Sequence, residues 1–196
     1  RMNDFKNLPL EFEPGTKYRY SNSGYFLLGR IIEKVSGLSY ENYLNKNIIQ
    51  PLGLSSTYFG DSAPADRMTK GYKQGENGFE VADYVNPFLP FSAGALTTSV
   101  EDLLKWDQAV FTYKVLPASV MTKAWEPFIL KDGSKINYGY GWSFARIDDL
   151  KVIDHGGFID GFFSYELNVP EKNLIVCILS NSASAAVGVE AFDIAR

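Results

Sequence analysis

Histidine and cysteine are nearly absent: the 196 residues hold one of each, His155 and Cys177. A catalytic zinc would then need mostly carboxylate ligands, which argues against a metalloenzyme and predicts no metal site. A single cysteine forms no internal disulfide, so the redox compartment stays open, and Cys177, inside the apolar run 174–179, reads as a buried thiol. No basic run of five or more residues occurs, and the net charge is −4 with a pI near 5.1, so nucleic acid is not expected as a partner. No apolar run approaches the roughly 20 residues that span a bilayer. Neither G-x-G-x-x-G nor G-x-x-x-x-G-K-[ST] occurs, and no cofactor is predicted. No internal repeat, low-complexity segment or signal peptide is read.

What remains is a globular composition, 45% hydrophobic and 21% charged, in a length that suits one domain or two lobes sharing a core. Aromatics reach 15%; they build cores and also line clefts for organic substrates. Apolar residues Leu27, Leu28, Ile31, Ile32 and Val35 recur at helical spacing and predict a helix from about Ser23 to Ser36, stopped by Gly37. Ser39 is placed to cap a second helix over 40–48 that ends before Pro51. Residues 60–98 show no sustained period. Ser99-Val100-Glu101-Asp102 has capping-box form and opens a helix to about Val110, with another predicted over 117–125 behind Pro117.

The pattern then changes to strands. Tyr138–Ala145 reads as one strand, and Lys151–His155 as a strand leading into a His155-Gly156-Gly157 corner. Phe163, Tyr165, Leu167 and Val169 alternate with polar residues, the mark of a half-buried strand. The run Leu174–Leu179 predicts a central strand buried on both faces, and a last helix is expected from near Ala183. The fold class is α+β. The division expected is a mostly helical lobe, 1–135, with a long irregular loop, followed by an antiparallel sheet portion, 136–196, with a C-terminal helix.

Two short motifs carry the chemistry, Tyr20-Ser21-Asn22 ahead of the first helix and His155-Gly156-Gly157, 135 positions beyond Tyr20. Singly they are weak, since the first suits a helix cap and the second a tight turn. Their flanks make them specific: Phe12-Glu13-Pro14-Gly15-Thr16 leads into the first, Pro51-Leu52-Gly53-Leu54 and Gly94-Ala95-Leu96-Thr97-Thr98-Ser99 follow, and Tyr138-Gly139-Tyr140-Gly141-Trp142 precedes the second. In this set the chain resembles the serine β-lactamase and D-alanyl-D-alanine peptidase superfamily, in its class C and esterase-like branch. It departs from that pattern at Ala95, where the family more often has glycine.

The resemblance implies an acyl-enzyme. Acyl transfer needs an activated hydroxyl, a proton shuttle and donors for the developing oxyanion. By resemblance Tyr20 is the proton relay. A phenol, near pKa 10 when free, takes that role only where cations stabilise its phenolate. Asn22 would orient a lysine or a substrate amide. His155 stands where many relatives carry lysine and would bind Tyr20 or a substrate carboxylate. Gly156 and Gly157 would let substrate lie along a strand edge, with the Phe158 N–H as one oxyanion donor.

The family's nucleophile motif, S-x-x-K, does not occur in the sequence: Ser119 precedes Lys123 by four positions, and Ser134-Lys135 are adjacent. The expectation is the C-terminal portion of a longer serine hydrolase acting on D-amino-acid peptides, β-lactams or small esters, inactive as an isolated chain. The alternative is a non-catalytic peptide- or β-lactam-binding module on the same fold. In the family, strands from the missing N-terminal segment pair with the strand corresponding to 174–179. Its edge is therefore expected to be covered by that segment, a second chain or a second copy. The parent is expected to be exported or periplasmic. Tyr72, Tyr84, Phe88 and Phe91 are further cleft candidates, although each is better explained by packing than by substrate contact.

Overall fold

Helix α1, Asn22–Ser36, begins and ends where its caps dictate. The Ser21 hydroxyl accepts from the Gly24 N–H at 3.1 Å, and Gly37 adopts φ +71°, its N–H closing on the Glu33 carbonyl at 2.9 Å. Its buried residues are Phe26 and Gly29, whereas Leu28, Ile31 and Val35 of the expected stripe are exposed. The computed structural model describes residues 7–86, 88–182 and 186–196.

Helix α2, Tyr40–Leu44, is capped by Ser39. Helical geometry does not stop before Pro51: it relaxes through a π turn, Asn45–Ile49, and resumes over Gln50–Leu52, ending at Gly53. Proline is tolerated there because it lies in the first turn of the short segment, where no N–H is needed. The stretch 60–98 holds short elements: β4 (Leu96–Thr97) pairs with β1 (Tyr58–Phe59), which lies just before it, and β2 (Tyr72–Gly75) forms a hairpin with β3 (Gly78–Val81).

Helix α3, Val100–Phe111, carries half of the expected capping box. The Ser99 hydroxyl accepts from the Asp102 N–H at 3.3 Å. The Asp102 carboxylate turns inward instead of back. It accepts from the Ser56 N–H at 2.6 Å, the Thr57 hydroxyl at 3.1 Å and Lys105 Nζ at 2.8 Å, fastening the 51–57 turn to α3. Helix α4, Ala118–Ala124, starts directly after Pro117.

After a short pair of strands, β5 (Phe128–Ile129) and β6 (Lys135–Ile136), the remainder is mostly a five-stranded antiparallel sheet of β7 (Tyr138–Gly139), β8 (Trp142–Ile147), β9 (Leu150–Ile159), β10 (Phe162–Val169) and β11 (Leu174–Ser180), in the order β11-β10-β9-β8-β7. The single strand expected over 138–145 is a hairpin of β7 (Tyr138–Gly139) and β8 (Trp142–Ile147). Tyr140 and Gly141 both take positive φ, +53° and +92°, the combination a two-residue type I′ turn requires. The expected glycine corner is also corrected: His155, Gly156 and Gly157 lie inside the ten-residue strand β9 (Leu150–Ile159), whose partner is β10 (Phe162–Val169). The turn comes later, at Asp160-Gly161, with Gly161 at φ +82°.

Strand β11, Leu174–Ser180, is not central. It ends the sheet and is mostly half-buried. One sheet face packs Val152, Leu167, Val169 and Val176 against Ala191 of helix α5, Val187–Ala195. The expected start of that helix near Ala183 lies outside the described residues. The opposite face packs Phe144 and Ile153 against Val110, Met121, Ala124 and Trp125. A third cluster, Leu44, Ile49, Leu54, Phe59 and Ala95, sits under α2. The chain is α+β.

Candidate active site

Strand β9 is paired on both sides only up to Asp154, which faces Ser143 on β8 and Leu167 on β10. From His155 to Ile159 it keeps β10 and, among the described residues, has no partner on the β8 side. This stretch holds His155, Gly156, Gly157 and Phe158, so the sheet presents these residues along an open edge. Side chains of β10 occupy the space above the glycines. A Cβ at Gly156 would stand 3.0 Å from the Tyr165 ring, and one at Gly157 would stand 2.5 Å from Ser164 Oγ. The glycines therefore also serve cross-strand packing. The Phe158 side chain is exposed and rests on Phe163, ring centroids 4.7 Å apart.

The start of α1 reaches the same place. Tyr20 and His155 face each other with ring centroids 6.2 Å apart. Tyr138 meets both, its ring 5.8 Å from Tyr20 and 5.8 Å from His155, and its hydroxyl lies 3.0 Å from His155 Nε2. Tyr18 adds a further ring at 5.5 Å from Tyr138. In Tyr20-Ser21-Asn22 the serine is used as the helix cap, which leaves Tyr20 and Asn22 exposed on either side of it.

Electrostatics follow from this packing. Burial pushes the His155 imidazole below the usual histidine range, partly offset by a hydrogen bond to the Gly156 main chain and by the Asp154 carboxylate. Burial pushes the Tyr138 phenol up, and the neighbouring tyrosines add to that. Asp154 is itself raised by burial and accepts from the Tyr165 hydroxyl at 2.9 Å. Burial thus disfavours the charged form of both the His155 imidazole and the Tyr138 phenol.

Sequence reasoning picked out Tyr20, Asn22, His155, Gly156, Gly157 and Phe158. It missed Tyr138 and Tyr25 as members of this cluster, although Tyr138 opens a motif already noted. The hairpin that returns Tyr138 to β9 was the unread step. The other aromatic candidates scatter. Phe91 packs into the α2 core beneath Arg30, Tyr72 lies in β2, and Tyr84 and Phe88 are exposed. A cavity of ≈ 300 Å³ lined by Ser56, Tyr58, Arg67 and Thr98 contains none of the cluster. Among the described residues no group of three His, Cys, Asp or Glu is arranged to hold a metal ion.

The comparisons with known proteins agree with one another. A D-aminopeptidase of Gluconobacter oxydans is 28% identical over 179 residues, covering 90% of this chain and 34% of the relative. Penicillin-binding protein 4* of Bacillus subtilis is 28% identical over 184 residues, covering 87% of this chain and 41% of the relative. The chain thus spans well under half the length of these curated relatives. Among solved structures, an octameric penicillin-binding protein homologue from Pyrococcus abyssi superposes with a TM-score of 0.83 at 28% identity, covering 99% of this chain and 45% of that one. D-amino acid amidase from Ochrobactrum anthropi SV3 shares the fold, with a TM-score of 0.80 at 23% identity over 98% of this chain and 63% of that one. The family model described as Beta-lactamase matches residues 1–195, and the chain belongs to that family.

Proposed function

We propose that this chain is the relay and oxyanion half of a serine hydrolase that cleaves D-amino-acid amides or peptides through an acyl-enzyme. The carrying observation is that Tyr20 and His155, 135 positions apart, meet across 6.2 Å beside an open strand edge. The D-aminopeptidase and D-amino acid amidase names of the relatives support the substrate class.

In this reading a serine from outside residues 1–196 attacks the substrate carbonyl carbon. Its proton passes through the Tyr20 hydroxyl to the leaving amine as the C–N bond breaks, and water later releases the acyl group. The carbonyl oxygen, negative in the tetrahedral intermediate, lies at the edge of β9 near the Phe158 main chain. Asn22, exposed at the helix start, orients the substrate amide. His155 lines the wall opposite Tyr20.

The test is intact mass before and after a fluorophosphonate and a penicillin. It is run on this 196-residue chain and on the full product of the reading frame that encodes it. The expected adduct forms on an S-x-x-K serine of the full product, with none on the 196-residue chain alone. D-alanine p-nitroanilide should then be cleaved at least about tenfold faster than its L isomer. An adduct on a serine within residues 1–196 would overturn the split-site reading. No adduct on any product would favour the non-catalytic binding module.

A further inference from the structure

Tyr58 of β1 stands opposite Thr97 of β4 in their register, and both line the cavity of ≈ 300 Å³ that contains none of the Tyr20–His155 cluster. Arg67 and Met68 bring the segment after them to the same cavity. Arg67 ends a 3₁₀ turn, Ala65–Arg67, and its N–H donates to the Pro64 carbonyl at 2.9 Å. Its guanidinium donates to the Tyr58 hydroxyl at 3.2 Å, which ties the turn to the strand pair.

Hydrogen-bond accounting separates the spent groups of this lining from the open ones. The Thr98 hydroxyl lies 2.8 Å from that of Thr57 and 3.3 Å from the Ser99 carbonyl. The Ser99 hydroxyl accepts from the Asp102 N–H as the cap of α3. The Tyr58 hydroxyl donates to the Ser55 carbonyl at 3.3 Å while it accepts from Arg67. Among the described residues, the Ser56 and Thr97 hydroxyls have no partner, and Arg67 has neither a second side-chain hydrogen bond nor an ion pair. A guanidinium carries five N–H donors, so most of this one's capacity is open.

Charge points the same way. Arg67 is the only charged residue among those that line the cavity, and its chain neighbour Asp66 does not line it. The Asp102 carboxylate, which accepts from the Ser56 N–H at 2.6 Å, is turned into the α3 junction, and Lys105 meets its charge at 2.8 Å.

We propose that this cavity is a binding site for a small hydroxy-carboxylate. One guanidinium matches one negative charge, and its planar fork fits the two oxygens of a carboxylate. The Ser56 and Thr97 hydroxyls can each donate and accept, which suits hydroxyl groups on the ligand body. Met68 supplies apolar surface for the carbon skeleton. The volume stands at the small end of ligand pockets, which run from about 300 to 1,000 Å³. The site does not rest on the hydrolase reading.

Met68 lines the cavity, whereas Met121 is buried in the core with Val110 and Trp125. Labelling the methionine methyls with ¹³C in the full product of the reading frame therefore gives one reporter inside the site and one outside. Met68→Leu identifies the Met68 signal. The probes are D-gluconate, with charge and hydroxyls, sorbitol, with hydroxyls alone, and hexanoate, with charge alone. D-gluconate should shift the Met68 methyl saturably, leave Met121 in place and bind at least about tenfold tighter than either other probe. Arg67→Gln should erase the advantage over sorbitol, and Thr97→Val should reduce the advantage over hexanoate. A Met121 signal at its wild-type position shows that each variant is folded.

The absence of a saturable Met68 shift with D-gluconate overturns the proposal. An equal response to hexanoate also overturns it, since the cavity is then only an apolar crevice with a nearby charge. So does an equal response to sorbitol, or D-gluconate binding that is unchanged in folded Arg67→Gln. None of these readouts depends on acylation, so the cavity and the hydrolase reading fail separately.

Discussion

Behind the site, one buried residue pair sets how stability depends on pH. Asp107 of α3 is 1% exposed and stands against Glu166 of β10, with the Cys177 thiol of β11 donating to its Oδ2 at 3.3 Å. Its other carboxylate oxygen is buried without a hydrogen-bond partner, and two neighbouring carboxylates away from water cannot both ionise cheaply. Burial raises Asp107 to about 6, lessened by hydrogen bonding to Cys177 and Glu166, and burial raises Glu166 well above its ordinary value, reinforced by the charge of Asp107. Both folded values exceed the unfolded ones of 3.8 and 4.5, so the unfolded chain releases these protons first and stability falls as pH rises from about 4 through 6. His155 contributes with the opposite sign, because its lowered value removes stability as pH falls below 6.5. The double variant Asp107→Asn/Glu166→Gln isolates the pair. In urea titrations it should match wild type near pH 4 and exceed it by on the order of 3 kcal/mol at pH 8. A difference that does not change with pH would mean the two carboxyls share no proton.

At the scale of elements, α1 is held to the loop behind it by a contact that leaves no room for a methyl group. The Ser92 hydroxyl donates to the Tyr25 carbonyl at 2.8 Å, and a Cβ at Gly29 would stand 2.1 Å from Ser92 Oγ and 2.4 Å from its Cβ. Alanine favours a helix over glycine by about 1 kcal/mol. Overpacking typically costs about 1–3 kcal/mol. At distances this short the clash wins, so Gly29→Ala should lower the denaturation midpoint, and adding Ser92→Gly should recover part of the loss. A midpoint raised by Gly29→Ala alone would show that the loop yields freely. This contact also marks the limit of what the sequence made legible. Caps were readable because they are local: Ser21, Gly37, Ser39 and Ser99 act within four residues of themselves. Which face of α1 is buried was not, because Leu28, Ile31 and Val35 satisfy helical spacing whatever lies against them. The Tyr140-Gly141 turn was unread because it needs a tyrosine at positive φ, which composition does not announce. The candidate residues were legible as motifs, but Tyr138 joined them only through that turn.

The whole molecule leaves two apolar features uncovered. Among the described residues β11 pairs with β10 alone, so the other edge of an apolar strand offers a row of unpaired main-chain groups. Helix α1 exposes Leu28 at 49%, Ile31 at 55% and Val35 at 81%, residues i, i+3 and i+7 of one face. An open strand edge templates pairing with another chain, and an exposed apolar stripe adds hydrophobic drive to it. The net charge of −4 on 196 residues is modest opposition to either. The isolated chain should therefore self-associate at micromolar concentration, visible as a concentration-dependent weight-average mass in sedimentation equilibrium. Ile31→Lys with Val35→Lys removes the stripe and leaves the β11 edge intact. If the stripe drives association, the double variant should weaken it by tenfold or more, about 1.4 kcal/mol. If the strand edge drives it, the double variant should associate like wild type, and a lysine or proline placed on β11 should disperse it instead. A wild-type chain that stays monomeric across the concentration range would mean that neither surface is adhesive. The need for a second copy or a further segment to cover them would then fall.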